Sequence, residues 1–112
     1  MIHTWKHLEE LQQLDEIDQS STTKTAVIFK HSTRCGTSHH AMDKLVSEWG
    51  FEEKQLDFFY LDLLNYRSLS DEIADRYSVV HQSPQIIIIR NGKSIYNISH
   101  NGINLQTIKD RL

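Results

Sequence analysis

Thr25-Ala26-Val27-Ile28-Phe29-Lys30-His31-Ser32-Thr33-Arg34-Cys35-Gly36-Thr37-Ser38-His39-His40 passes from an apolar, β-branched run through a polar connector into a helical pattern, and it carries the sole cysteine of the chain. Thr25–Lys30 reads as a strand too continuously apolar to have a wet face, hence a central one. His31–Arg34 reads as the connector. From Thr37 to Trp49, Ala41, Leu45 and Trp49 recur at i, i+4 and i+8, with Met42 and Val46 beside them, and Gly50 is a natural stop. Strand, connector, helix: Cys35 is expected where the connector becomes the helix.

Outward from this unit the pattern repeats. Before it, Leu8, Leu11 and Leu14 predict an N-terminal amphipathic helix, followed by a polar connector over Gln19–Lys24. After it, Phe58–Leu63 predicts a second strand. Ser68 or Ser70 is a candidate cap for a third helix, which carries Leu69, Ile73 and Tyr77 on one face and Asp71 and Glu72 in its first turn. Gln85–Arg90, built on Ile86-Ile87-Ile88-Ile89, predicts a strand buried on both faces. Asn91-Gly92 is a hairpin signal leading to an antiparallel edge strand over Lys93–Ile98. Asn101-Gly102 turns again, and Asn104 can cap a last helix with Leu105, Ile108 and Leu112. Trp49 and Tyr77 are expected in the core.

Strand–helix–strand alternation gives parallel pairing, and the hairpin adds antiparallel strands. The order is that of the thioredoxin fold: α/β, a central mixed four-stranded sheet flanked by helices, with an extra N-terminal helix, as one domain over residues 1–112. The sole proline, Pro84, opens the third predicted strand, and the topology favours a cis Ser83–Pro84 bond.

The chain has 112 residues and a net charge of −3, from 12 Lys and Arg against 15 Asp and Glu. One domain of that size builds a single core. The slight acidity argues against nucleic acid as partner. Runs such as Ile86–Ile89 are far too short to span a bilayer, and Met1–Glu10 lacks the apolar segment of an export signal, so no membrane partner is expected. A single unpaired thiol fits a reducing compartment, and a cytoplasmic protein is expected.

One cysteine excludes an internal disulfide, a Cys-x-x-Cys pair and an all-cysteine zinc site. A sulfur at a helix start faces unpaired backbone N–H groups and the positive end of the helix dipole, and Arg34 adds a fixed positive charge. Both favour the thiolate, which is the nucleophile. Ser38 stands where a dithiol enzyme has its resolving cysteine; it can hydrogen-bond the thiolate or cap the helix, and it cannot close a disulfide. An adduct on Cys35 then needs an outside thiol. Two alternatives stay open: an inert buried thiol, and a metal site drawn from His31, Cys35, His39 and His40, whose spacing is no standard ligand motif. His7, His81 and His100 read as surface or hydrogen-bonded structural residues.

These residues resemble the monothiol bacilliredoxins of the YtxJ type. The resemblance rests on Lys30-His31-Ser32 leading to Cys35-x-x-Ser38, on Leu69-Ser70-Asp71-x-Ile73-Ala74, on His81-Gln82-Ser83-Pro84-Gln85, on Asn91-Gly92 and on His100-Asn101-Gly102-Ile103-Asn104. It implies a monothiol oxidoreductase without cofactor or metal that removes a small thiol, bacillithiol before glutathione, from S-thiolated proteins. Cys35 corresponds to the attacking residue, Pro84 to the cis-proline of the substrate groove, and Ser83 to a backbone edge for the bound disulfide. Arg34, Gly36, Thr37 and Ser38 complete the thiol-binding set. Cys35-Gly36-Thr37-Ser38 is also similar to the Cys-Gly-Phe-Ser motif of monothiol glutaredoxins, so an iron–sulfur or metal carrier, or a thioredoxin-like adaptor, is the alternative.

Overall fold

A computed structural model describes all residues, Met1–Leu112. The elements run β1 (Lys6–His7), α1 (Gln12–Ser20), β2 (Ala26–His31), α2 (Gly36–Glu48), β3 (Asp57–Asp62), α3 (Arg67–Tyr77), β4 (Gln85–Arg90), β5 (Lys93–Ser99), a 3₁₀ turn (His100–Gly102) and α4 (Leu105–Lys109). The sheet order is β1-β3-β2-β4-β5. β2 is parallel to β3 and antiparallel to β4, and β5 is antiparallel to β4.

The sheet is therefore five-stranded, not four-stranded. The added strand is two exposed residues paired parallel to β3, Lys6 with Phe59 and His7 with Tyr60. A two-residue strand has no alternation to read. What holds it are its flanks: Trp5 is buried on one face of the sheet against Phe29 and Phe58, and Leu8 on the other. Leu8 thus lies outside the helix expected around it, and Leu11 is exposed. The Gln13 side-chain oxygen accepts from the Glu9 and Glu10 N–H groups at 2.7 and 2.9 Å, which fixes the turn into α1. The helix then buries Leu14 and Ile17 and continues through Gln19 and Ser20, into the expected connector.

All six residues of β2 are buried, as its continuous apolarity requires. His31 belongs to this strand rather than to a connector. Ala26 and Ile28 face α1 and α3 with Ile73 and Ile87, while Val27 and Phe29 face α2 and α4 with Leu45 and Ile108. In α2, Ala41 and Leu45 are buried and Trp49 packs half-buried against Trp5 and Phe58. The helix turns off at Trp49 by extended backbone, so Gly50 is not a left-handed cap. Neither Ser68 nor Ser70 caps α3: the helix opens at Tyr66 without a side-chain cap, and Asp71 and Glu72 fall beyond its first turn. Tyr77 is buried, with its hydroxyl donating to Asp18 at 2.6 Å.

Asn91 and Gly92, at φ 53° and 70°, form the mirror-image turn that suits a twisted hairpin. Asn104 caps α4, its side-chain oxygen accepting from the Thr107 N–H at 2.9 Å. The Ser83–Pro84 bond is cis. Lys30 of β2 is paired with Gln85 of β4, so the connector after β2 and the loop before β4 leave the sheet at the same end.

Candidate active site

Cys35 is the residue on which α2 begins. Its backbone is extended (φ −112°, ψ 120°), its N–H donates to the Ser32 carbonyl at 3.2 Å, and its carbonyl accepts from the His39 N–H at 3.0 Å. No side chain caps the helix, so its first amides keep their partial positive charge beside the sulfur. The thiol is free and half-buried. Arg34 is exposed and forms no ion pair, and Gly36 is exposed with no atom within 4 Å of where a Cβ would stand. Thr37 is half-buried. The approach to Cys35 from the helix start is open.

Ser38 does neither of the things its spacing suggests. It is fully buried, its Oγ accepts from the Ser32 N–H at 3.0 Å, and it pairs with His31 Nδ1 at 2.7 Å. The third residue of a helix faces inward here, and the strand end behind it presents an unpaired N–H and an imidazole. Burial, and next the His39 ring beside it, push the His31 imidazole below its ordinary value, with Asp62 opposing. A neutral His31 can accept the Ser38 hydroxyl proton at Nδ1 while the same oxygen accepts from the Ser32 N–H, so the hydroxyl bridges the two. His39 is also engaged: its Nε2 bonds the Thr33 carbonyl at 2.7 Å and its ring stands edge-on to His31 at 5.2 Å. His31 and His39 thus serve the connector, and His31, Cys35, His39 and His40 do not converge as a ligand set; no group of three or more His, Cys, Asp or Glu is placed to hold a metal ion.

The loop before β4 is stapled from within. The fully buried Gln85 donates from Nε2 to the Val80 carbonyl at 3.0 Å and accepts from the Gln82 N–H at 3.3 Å. His100 bonds the Gln82 side chain at 3.0 Å and gives its N–H to the Pro84 carbonyl at 3.1 Å. Pro84 is buried; Ser83 is half-buried and its Oγ has no partner. Three residues without an assigned role meet nearby: the fully buried Lys30 reaches the Ser70 carbonyl at 3.1 Å and His81 Nδ1 at 3.2 Å. A lysine ending an apolar strand was the available signal.

A lone thiol on the first turn of the helix after the central strand, across from a cis-proline loop at the same sheet end, defines a thiol–disulfide oxidoreductase of thioredoxin fold with a single cysteine. A family model described as "Monothiol bacilliredoxin BrxC" matches residues 6–108, and the chain belongs to that family. A solved structure described, provisionally, as an oxidoreductase with a thioredoxin fold is 29% identical, with a TM-score of 0.80, covering 96% of this chain and 92% of that one. The thioredoxins of Fasciola hepatica (19% identical, TM-score 0.67, covering 94% and 93% of the two chains) and of Trypanosoma brucei brucei (22%, 0.66, 95% and 88%) share the fold.

Proposed function

We propose that residues 1–112, acting as one domain, remove a small thiol from S-thiolated client proteins through a mixed disulfide on Cys35. The Cys35 thiolate attacks the outer sulfur of a client–S–S–thiol. One S–S bond breaks as another forms, and the client leaves as thiolate and takes a proton from water. A second small thiol then attacks the adduct, restoring Cys35 and departing as a small-molecule disulfide. Bacillithiol is the proposed small thiol, on the family's description, with glutathione the lesser candidate. A reducing, cytoplasmic setting belongs to the same reading, since the cycle consumes free thiols; no helix is long and apolar enough to cross a membrane.

The observation that carries this reading is that the one sulfur has no internal partner while the residue three positions on is a buried serine bonded away from it. The uncapped α2 amides face the incoming disulfide beside the sulfur, and Arg34 adds an exposed positive charge next in sequence. Gly36 and Thr37 leave room for the incoming disulfide, Ser38 holds the connector that presents Cys35, and Ser83–Pro84 forms the facing edge of the groove. Intact mass after exposure to bacillithiol disulfide, or to glutathione disulfide in parallel, tests it. A single adduct on Cys35 from the bacillithiol arm, removed by added free thiol, is expected. No adduct from either arm refutes the exchange, and an adduct from glutathione alone reassigns the thiol. A coloured protein carrying stoichiometric iron refutes it in favour of a cluster carrier.

A further inference from the structure

Lys30 is fully buried, yet no carboxylate bonds it. An ammonium without a bonded anion is an expensive group to bury, and a neutral side chain would fill the place at less cost. Its two partners come from separate parts of the chain: the Ser70 carbonyl from α3, and His81 Nδ1 from the loop that leads to Ser83–Pro84. Lys30 itself lies on β2, five residues ahead of Cys35. The Ser70 hydroxyl lies 3.5 Å from the same imidazole nitrogen. Because the ammonium can only donate, Nδ1 accepts, and His81 is neutral with its proton on Nε2.

We propose that Lys30 is a positioning residue for thiol exchange at Cys35: its ammonium, bonded to the Ser70 carbonyl and to His81 Nδ1, holds the segment before Pro84 against β2 and α3 and so fixes the groove wall that a disulfide partner meets. The inference rests on the function proposed above. Burial brings Lys30 down to about 8, with Asp71 opposing. Burial, then Lys30 and Arg67, push His81 down, again against Asp71. Those are the charged groups facing the pair: Asp71 and Arg67 from α3, and His81 from the loop. β4 places the uncharged Gln85 opposite Lys30, and β3 places Leu61 beside it. The amine is charged at neutral pH; above about pH 8 its neutral form, which burial favours, still has two N–H donors for the same two acceptors, so the tether persists.

The test is the reduction of a glutathione- or bacillithiol-blocked cysteine peptide, followed as KM and kcat over about pH 6 to 9.5. The Cys35 thiolate fraction is measured separately by alkylation and divided out. Wild-type KM, with the thiolate fraction divided out, is expected to stay flat over that range, because the amine keeps its two donors whether charged or neutral. Lys30→Met is expected to raise KM about tenfold throughout it, the weight of one charge-assisted hydrogen bond, with kcat within about twofold. His81→Asn keeps an acceptor for Lys30 and should retain the wild-type profile, whereas His81→Leu should behave as Lys30→Met. The histidine variants decide the matter should Lys30→Met fail to fold. Folded Lys30→Met and His81→Leu variants that keep the wild-type KM overturn the positioning role. If wild type forms no Cys35 adduct, it is the function proposed above that fails instead.

Discussion

Replacing Ser38 with Ala should cost far more stability than a surface hydroxyl would. The side chain is fully buried and bridges two groups, the Ser32 N–H at 3.0 Å and His31 Nδ1 at 2.7 Å. Removing the oxygen leaves both without a partner in a place water does not reach, at about 1–3 kcal/mol each. Alanine returns about 0.5 kcal/mol through its better helix propensity. The net loss is about 2–5 kcal/mol, a large part of the roughly 5–15 kcal/mol typical of a whole domain. For 112 residues the unfolding entropy is about 0.24 kcal/mol/K, so the midpoint should fall by about 8–20 °C. Thermal and denaturant unfolding, read by circular dichroism, measure it. A Ser38→Ala midpoint within about 2 °C of wild type would refute the bridge and would return Ser38 to a role beside the thiol.

Cys35→Ser should do the reverse: the sulfur is half-buried and unpartnered, so stability should hold within about 0.5 kcal/mol while thiol transfer disappears. Residual transfer by that variant would move the nucleophile elsewhere. Ser38→Cys should shed a bound small thiol by itself and close an internal disulfide visible by mass spectrometry, because the two positions lie one helical turn apart; an adduct as long-lived as in wild type would contradict that placement. Gly36→Ala meets no atom within 4 Å and should hold or raise stability by up to about 1 kcal/mol, yet slow exchange with protein clients more than with small disulfides; equal rates with both would remove Gly36 from the client path. His31 and His81 both have folded values below the ordinary one, so their stability contribution is full above about pH 6.5 and is lost as pH falls from there toward those lower values. Denaturation midpoints between about pH 7 and 5 should therefore fall less steeply in His81→Asn than in wild type, and identical slopes would exclude His81 from the effect.

Where a local rule is strong, the sequence is enough. β4 is read residue for residue as Gln85–Arg90, because a run of β-branched side chains suits only a strand covered on both faces. Asn91-Gly92 and Asn104 are read because a positive φ and a helix cap each demand particular residues. β1 escapes because two residues pair only when β3 already exists to receive them. In the site, the position of Cys35 follows from its flanks, but Ser38 does not. Spacing along the helix points it at the cysteine, and only the folded strand end supplies His31 and Ser32 as better partners. Lys30 escapes for a related reason. In a strand buried on both faces, alternation no longer distinguishes in from out, so the burial of its amine depends on α3 and the Pro84 loop closing over it.

The distribution of buried polar groups ties these residues together. Most of the sheet is walled by Ile, Leu, Val and Phe, where a polar side chain would only cost stability. Ser21, Thr25 and Asp57 are buried at the far end, but the larger group, Lys30, His31, Ser32, Ser38 and Gln85 with Ser70 of α3 beside Lys30, is buried at the end of β2 and β4 from which Cys35 and Pro84 emerge. Lys30 and Gln85 bond the loop before Pro84, at His81 and at the Val80 carbonyl, and Ser38 bonds the Ser32 N–H and the His31 imidazole where the other begins. An apolar filling could stabilise the core as well, but it could not fix two irregular loops, whose carbonyls and amides have no strand partners. A thiol that must meet a disulfide in line needs both loops held to within a fraction of an ångström. Polar burial beneath the two loops is therefore what a site of this chemistry requires, and it explains why a protein with a single reactive atom carries so many unreactive polar residues beneath it.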